Sequence, residues 1–192
     1  MVLPTILLAA LSLVGTGSGS VGSAYAFFES PPMQVHIDPL APCAGATSAS
    51  TASTLGATAS GFVSFGGGST TCGPGTVTVS GKKFRFDWMK DHGGPVIKLA
   101  GFSVTCTATE SGSRSSIKLT GLSGIKAPNP IPPNYTVTIR DLARVVLNET
   151  IVPDPPDGSM TVNLMRIKLF PDSVGFNNGE ITVGTVHCSP RG

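Results

Sequence analysis

The side chains with the reach for chemistry are few and scattered. Asp87, Asp91 and His92 form the one tight cluster of metal-capable groups, close to Trp88. Two carboxylates and an imidazole suit a hard or borderline cation, and such a site would serve a metal-dependent hydrolase. Asp91 and His92 also open DHGGP, a polar turn in which an aspartate needs no ligand. His187 precedes Cys188, but a cysteine in an exported chain is oxidised rather than kept as a nucleophile. The remaining histidine, His36, stands alone. No G-x-S-x-G elbow, H-E-x-x-H pair, phosphate loop or dinucleotide fingerprint occurs. These residues assign no catalytic group, no metal and no cofactor, and the expectation is a protein that is not an enzyme.

Trp88 and Tyr135 are the better binding candidates, because an aromatic ring can platform a sugar or a partner surface. Both alternate with polar neighbours, a pattern that ordinarily turns the ring inward. Lys82, Lys83 and Arg85 lie opposite the face carrying Phe84, Phe86 and Trp88. They fit a solvated sheet face, or a contact to an anionic cell-wall polymer that salt would weaken.

The elements that must position these groups read as strands. The chain has 192 residues with Gly 24 and Pro 16, enough for one domain rich in turns. Charged residues are 12% and the net charge is +2, too weak a field for nucleic acid or an anionic membrane. All 13 Lys and Arg lie at or after Lys82. The first 81 residues carry only Glu29 and Asp38 as charges, so two regions of different kind are expected. Val2 to Val14 is an apolar run too short for a bilayer, which needs about 20 residues. With Ala24-Tyr25-Ala26 behind it, the run reads as a signal peptide over 1–26, cleaved after Ala26. The missing basic residue before the run implies a start further upstream. Residues 27–56 read as a low-complexity arm rich in Pro, Ala, Ser and Thr, and 57–192 as the β-domain. Export makes the four cysteines two disulfides, with three possible pairings. Cys106 and Cys188 each end an alternating apolar run and would face one core. That pairs them and leaves Cys43 with Cys72.

Within the β-domain, strands are expected over 61–65, 76–80, 82–89, 96–107, 115–122, 135–139 and 143–152, with GGGSTTCGPG as a turn region. The stretch Asp157 to Cys188 reads as a closing hairpin. Val162 and Leu164 give way to Met165, Ile167 and Leu169, while Ile181 and Val183 give way to Val186 and Cys188, so both arms change their buried face midway. Placing Leu169 opposite Ile181 puts Ile167 opposite Val183, Leu164 opposite Val186 and Val162 opposite Cys188. Gly184 then sits at the crossing, where a bulge or bend is expected. A helix over 160–169 is the competing reading. About nine strands between turn signals make an all-β, antiparallel sandwich. Its loops at 91–95, 128–134 and 171–179 would present variable surface.

The succession SVTCTAT (103–109), LTGL (119–122), PNYTVTI (133–139), ARVVLNE (143–149), DGSMTVN (157–163) and VGTVHC (183–188) resembles the choice-of-anchor P proteins, over roughly 55–188. That resemblance implies an exported actinobacterial protein whose shared domain has no assigned activity, with Cys106 and Cys188 matching the paired "TC" and "HC" cysteines of the family. A bacterial source would leave the sequons at Asn134 and Asn148 without meaning. The chain ends four residues after Cys188 without a sorting signal or terminal apolar helix, which leaves surface attachment open. The resulting expectation is a secreted or cell-wall-associated module whose ligand is open, with a cell-wall polymer or a surface protein as partner. A glycan-binding module using Trp88 or Tyr135 is the alternative.

Overall fold

A computed structural model describes residues 15–28, 32–45, 48–171 and 178–190 of the chain. It is an all-β sandwich of two antiparallel sheets. The first holds β11 (Tyr135–Ile139), β12 (Ala143–Ile151), β13 (Met160–Leu169), β14 (Asn178–Ser189), β1 (Thr16–Phe28) and β2 (Met33–Leu40) in that order, and β3 (Cys43–Gly45) also pairs with β1. The second runs β10 (Gly112–Thr120), β9 (Ile97–Thr109), β8 (Thr76–Phe86), β6 (Val63–Phe65) and β5 (Ala57–Ala59). In it β7 (Gly68–Gly73) pairs with β8, and β4 (Ser50–Thr54) with β7.

A line of left-handed residues crosses both sheets at mid-height. Asn148 (φ 51°) and Gly184 (φ 64°) lie on it in the first sheet, and Lys83 (φ 56°) and Gly121 (φ 63°) in the second. On either side of this line β8 and β9 bury different alternate sets. β8 buries Val77 and Val79, then Phe84 and Phe86; β9 buries Ile97 and Leu99, then Phe102, Val104 and Cys106. Pairing is undisturbed, since Asn163 faces Thr185 below the line and Met165 faces Val183 above it in one register. A residue in this conformation rotates the strand without adding a residue to it, which costs least where there is no Cβ. A Cβ on Gly184 would lie 2.9 Å from Phe102 Cε2 and 3.1 Å from Val104 Cγ2, so the site needs glycine on steric grounds as well.

The line divides the core. At one end, Cys43 on β3 is bonded to Cys72 on β7, and Cys106 on β9 to Cys188 on β14. Each disulfide joins one sheet to the other, as the paired reading of the cysteines expects. Gly17 and Gly19 of β1 face this end, where an added Cβ would run into Val77 and Val79. At the other end, Phe28 stacks on Trp88 at 4.8 Å, Phe170 stands edge-on to Trp88 at 5.3 Å, and Phe65 tilts against Phe84 at 5.1 Å.

Several expectations change. The described residues form fourteen strands, against about nine expected, because the N-terminal third is built into the sandwich. The boundary after Ala26 falls inside β1, which is seated between β14 and β2 through eleven cross-strand pairs with β14 alone. The arm expected over 27–56 contributes β2, β3 and β4, and GGGSTTCGPG contains β7. The run Val2 to Val14 lies outside the described residues. Residues 160–169 are a strand, and the two arms of the closing hairpin do change face at one level. Their register differs from the expected one by two positions: Ile167 faces Ile181, Met165 faces Val183 and Met160 faces Cys188. A two-residue slip keeps every side chain on its face, so the pattern of apolar residues alone does not distinguish the two registers.

Candidate functional site

β8 ends at Phe86, and Trp88–His92 forms a short 3-10 helix instead of extending the strand. Trp88 is 6% exposed, sandwiched between Phe28 and the ring of His92, whose centroid lies 4.1 Å away. It is therefore core and offers no platform. Asp87 Oδ2 accepts from Arg85 Nε at 2.9 Å and Nη2 at 2.6 Å. Asp87 and Asp91 line a shallow recess together with Lys90, which brings its own positive charge, while His92 is turned onto Trp88 with Nδ1 3.2 Å from the Trp88 carbonyl. The three residues do not converge, and among the described residues no group of three His, Cys, Asp or Glu is placed to hold a metal. Of the basic set, Lys82 and Lys83 are exposed and Arg85 is held by Asp87.

Tyr135 begins β11, the edge strand of the first sheet, half-buried against the core. Asn134 beside it is tied across to β12: its Oδ1 accepts from the Thr150 backbone N–H at 2.8 Å. Asn148 Nδ2 donates to the Ile131 carbonyl at 3.1 Å. His187 contacts Thr161 Oγ1 through Nδ1 at 3.0 Å, beside a cysteine already bonded to Cys106.

The structure assembles a different polar surface, on the outer face of the first sheet. Cross-strand pairing sets His36, Tyr25, Glu180, Lys168 and Arg144 in one row over five strands. Arg166 Nη1 donates to Glu149 Oε1 at 2.9 Å and Nη2 to Glu180 Oε2 at 2.6 Å. Those two carboxylates hold the guanidinium more firmly protonated than usual, against the opposing effect of partial burial. Asn163 Nδ2 donates to Glu149 Oε2 at 2.7 Å, and Thr185 Oγ1 to Asn163 Oδ1 at 2.7 Å, which fixes the carboxylate geometry. At the β2 end of the row, Tyr25 is 45% exposed with the His36 ring edge-on at 6.4 Å, and His36 Nε2 is 3.0 Å from Asp38 Oδ1. Ser23, Tyr25, His36, Asp38, Glu180 and Thr182 line a recess of about 220 Å³ there. Its carboxylates and hydroxyls offer hydrogen-bond acceptors and donors beside an exposed ring face. Sequence reasoning missed it because Ser23 and Tyr25 were read as part of a cleaved leader. The signal present was the alternation of Gln34, His36 and Asp38 with Val35 and Ile37.

Comparison with protein-family models, with curated proteins and with solved structures gives no match for this chain.

Proposed function

We propose that the protein is an exported, non-enzymatic β-sandwich module that acts by binding. The observation that carries this reading is the pair of disulfides, both joining sheet to sheet, with no cysteine left free. Such bonds persist in an oxidising compartment. Among the described residues no helix is long and apolar enough to cross a membrane. The resemblance to choice-of-anchor P proteins points the same way, to an actinobacterial envelope. The place of β1 within the sheet favours processing on export before Thr16 over processing after Ala26.

Intact mass of the protein recovered from its native host, before and after reduction, tests this. The expected result is an extracellular or envelope species that retains Thr16 and gains four protons for its two disulfides. Free thiols, or retention in the cytoplasm, would overturn export. A chain starting at Phe27 would overturn the placement of the processing site.

A second reading, glycan binding, is favoured by the recess at Tyr25. In affinity electrophoresis through cell-wall polysaccharide, retardation should fall on Tyr25→Ala and be unchanged by Tyr135→Ala. Equal retardation of all three proteins would remove Tyr25 from consideration.

A further inference from the structure

We propose that the mouth of the sandwich between β10 and the segment 121–134 is a binding cleft for a long-chain carboxylate, a fatty acid. β10 is the last strand of its sheet, and its core-facing residues outrun the cover of the other sheet. Ile117 pairs with Val104, and Leu119 with Phe102. Val104 and Phe102 are buried, yet Ile117 and Leu119 are only half-buried. The proline-rich segment arches over them and leaves a cleft of about 750 Å³, within the range that encloses small organic ligands.

The chemistry of the lining selects the ligand. Leu122, Ile125 and Ile131 complete an aliphatic wall with no aromatic side chain in it. The only charged groups lining the cleft are Lys118 and Lys126, and no carboxylate lines it. Asn129 is the one other polar side chain. A sugar or a peptide would bring more hydrogen-bonding groups than these side chains can satisfy, and each one left unpaired on burial weakens binding. An alkyl chain needs no such partners, and its single anionic head meets Lys126 at the rim, whose stem remains against apolar surface, whereas Lys118, paired with Ser103, projects from the other face of β10. The proposal concerns a site separate from the Tyr25 recess and stands whether or not the protein is exported.

The test is a fluorescence titration of the full oxidised chain with dansyl-undecanoate, followed by displacement with palmitate and with hexadecanol, which has the same chain length but no charge. Saturable binding displaced by palmitate is expected, with hexadecanol about tenfold weaker. Lys126→Gln should weaken palmitate about tenfold and leave hexadecanol unchanged, while Lys118→Gln, on the other face of β10, should change neither. Both lysines are exposed, so each variant should fold; an unchanged unfolding midpoint checks that it does. Ile125→Glu, in the arching segment, should abolish binding of both. Absence of saturable binding would overturn the proposal, as would equal affinity for acid and alcohol, or indifference to Lys126→Gln. Binding to anionic vesicles without binding of monomeric palmitate would replace it with a membrane contact. Displacement by an acidic apolar peptide but not by palmitate would replace it with a protein partner.

Discussion

Below the line of left-handed residues, Gly17 and Gly19 bring β1 against Val77 and Val79, and two disulfides tie the sheets together. Above it, Phe28, Phe65, Phe84, Phe86 and Trp88 fill the space between the sheets, and no covalent link joins them. Burial scales with the apolar area removed from water, so valine against glycine backbone gives less than phenylalanine against tryptophan. The cross-links stand where the core is thin. One domain thus reaches a single fold by two routes, and the line between them lets β8, β9 and β14 each carry two sequence patterns.

Equilibrium unfolding in denaturant can break or sharpen that contrast. Cys106→Ala with Cys188→Ala opens a loop with a sequence separation of 82 and should cost about 4.5 kcal/mol, against about 3.5 kcal/mol for the Cys43 and Cys72 pair with a separation of 29. Phe84→Ala, in the aromatic end, should cost about 4 kcal/mol through cavity formation alone. A disulfide variant that loses much less than Phe84→Ala would mean that the thin end does not depend on its cross-links. Gly17→Ala drives a methyl into Val77 and should cost about 2 kcal/mol by overpacking, while Ala26→Gly at the aromatic end of the same strand should cost less. On the dividing line, Lys83→Gly removes an exposed Cβ held at φ 56° and should gain about 0.5 kcal/mol, read as a raised midpoint. A loss there would mean that the lysine side chain contributes a contact of its own.

The smallest expected effect is electrostatic and belongs to the disulfide end. Asp157 accepts from the Ser159 hydroxyl at 2.6 Å and from its backbone N–H at 2.8 Å, and these bonds hold its carboxyl below the usual range. A depressed folded-state value stabilises the fold above the ordinary carboxylate range, and the benefit is lost as pH falls through that lower value. The stability difference between wild type and Asp157→Asn should therefore be constant near neutral pH and close in acid. A difference independent of pH would assign the residue a purely geometric part.

The face change of β13 and β14 was legible because both arms are rich in large aliphatic residues whose phase visibly inverts. Their register was not, since faces repeat every two residues. The cysteine pairing followed from two strands ending in cysteine on one face. β1 was hidden for a physical reason. A strand that packs glycine and alanine inward, TGSGSVGSAYA, is written in the small residues that also precede a leader cleavage site. Hiding β1 hid Tyr25 and the outer-face recess with it. Trp88 continued the alternation of Phe84 and Phe86 perfectly, and only the tertiary arrangement, Phe28 and Phe170 waiting above it, turns that segment into a helical corner.

The pairing of β1 with β14 also sets an order of events. A chain emerging from its N-terminus exposes β1 well before β14, and until β14 arrives β1 lacks its partner along eleven positions. Closing so long a loop is entropically costly and slow. The first sheet thus remains an unfinished half-surface until β14 has emerged, and its two halves, β11 to β13 and β1 to β3, are joined only then.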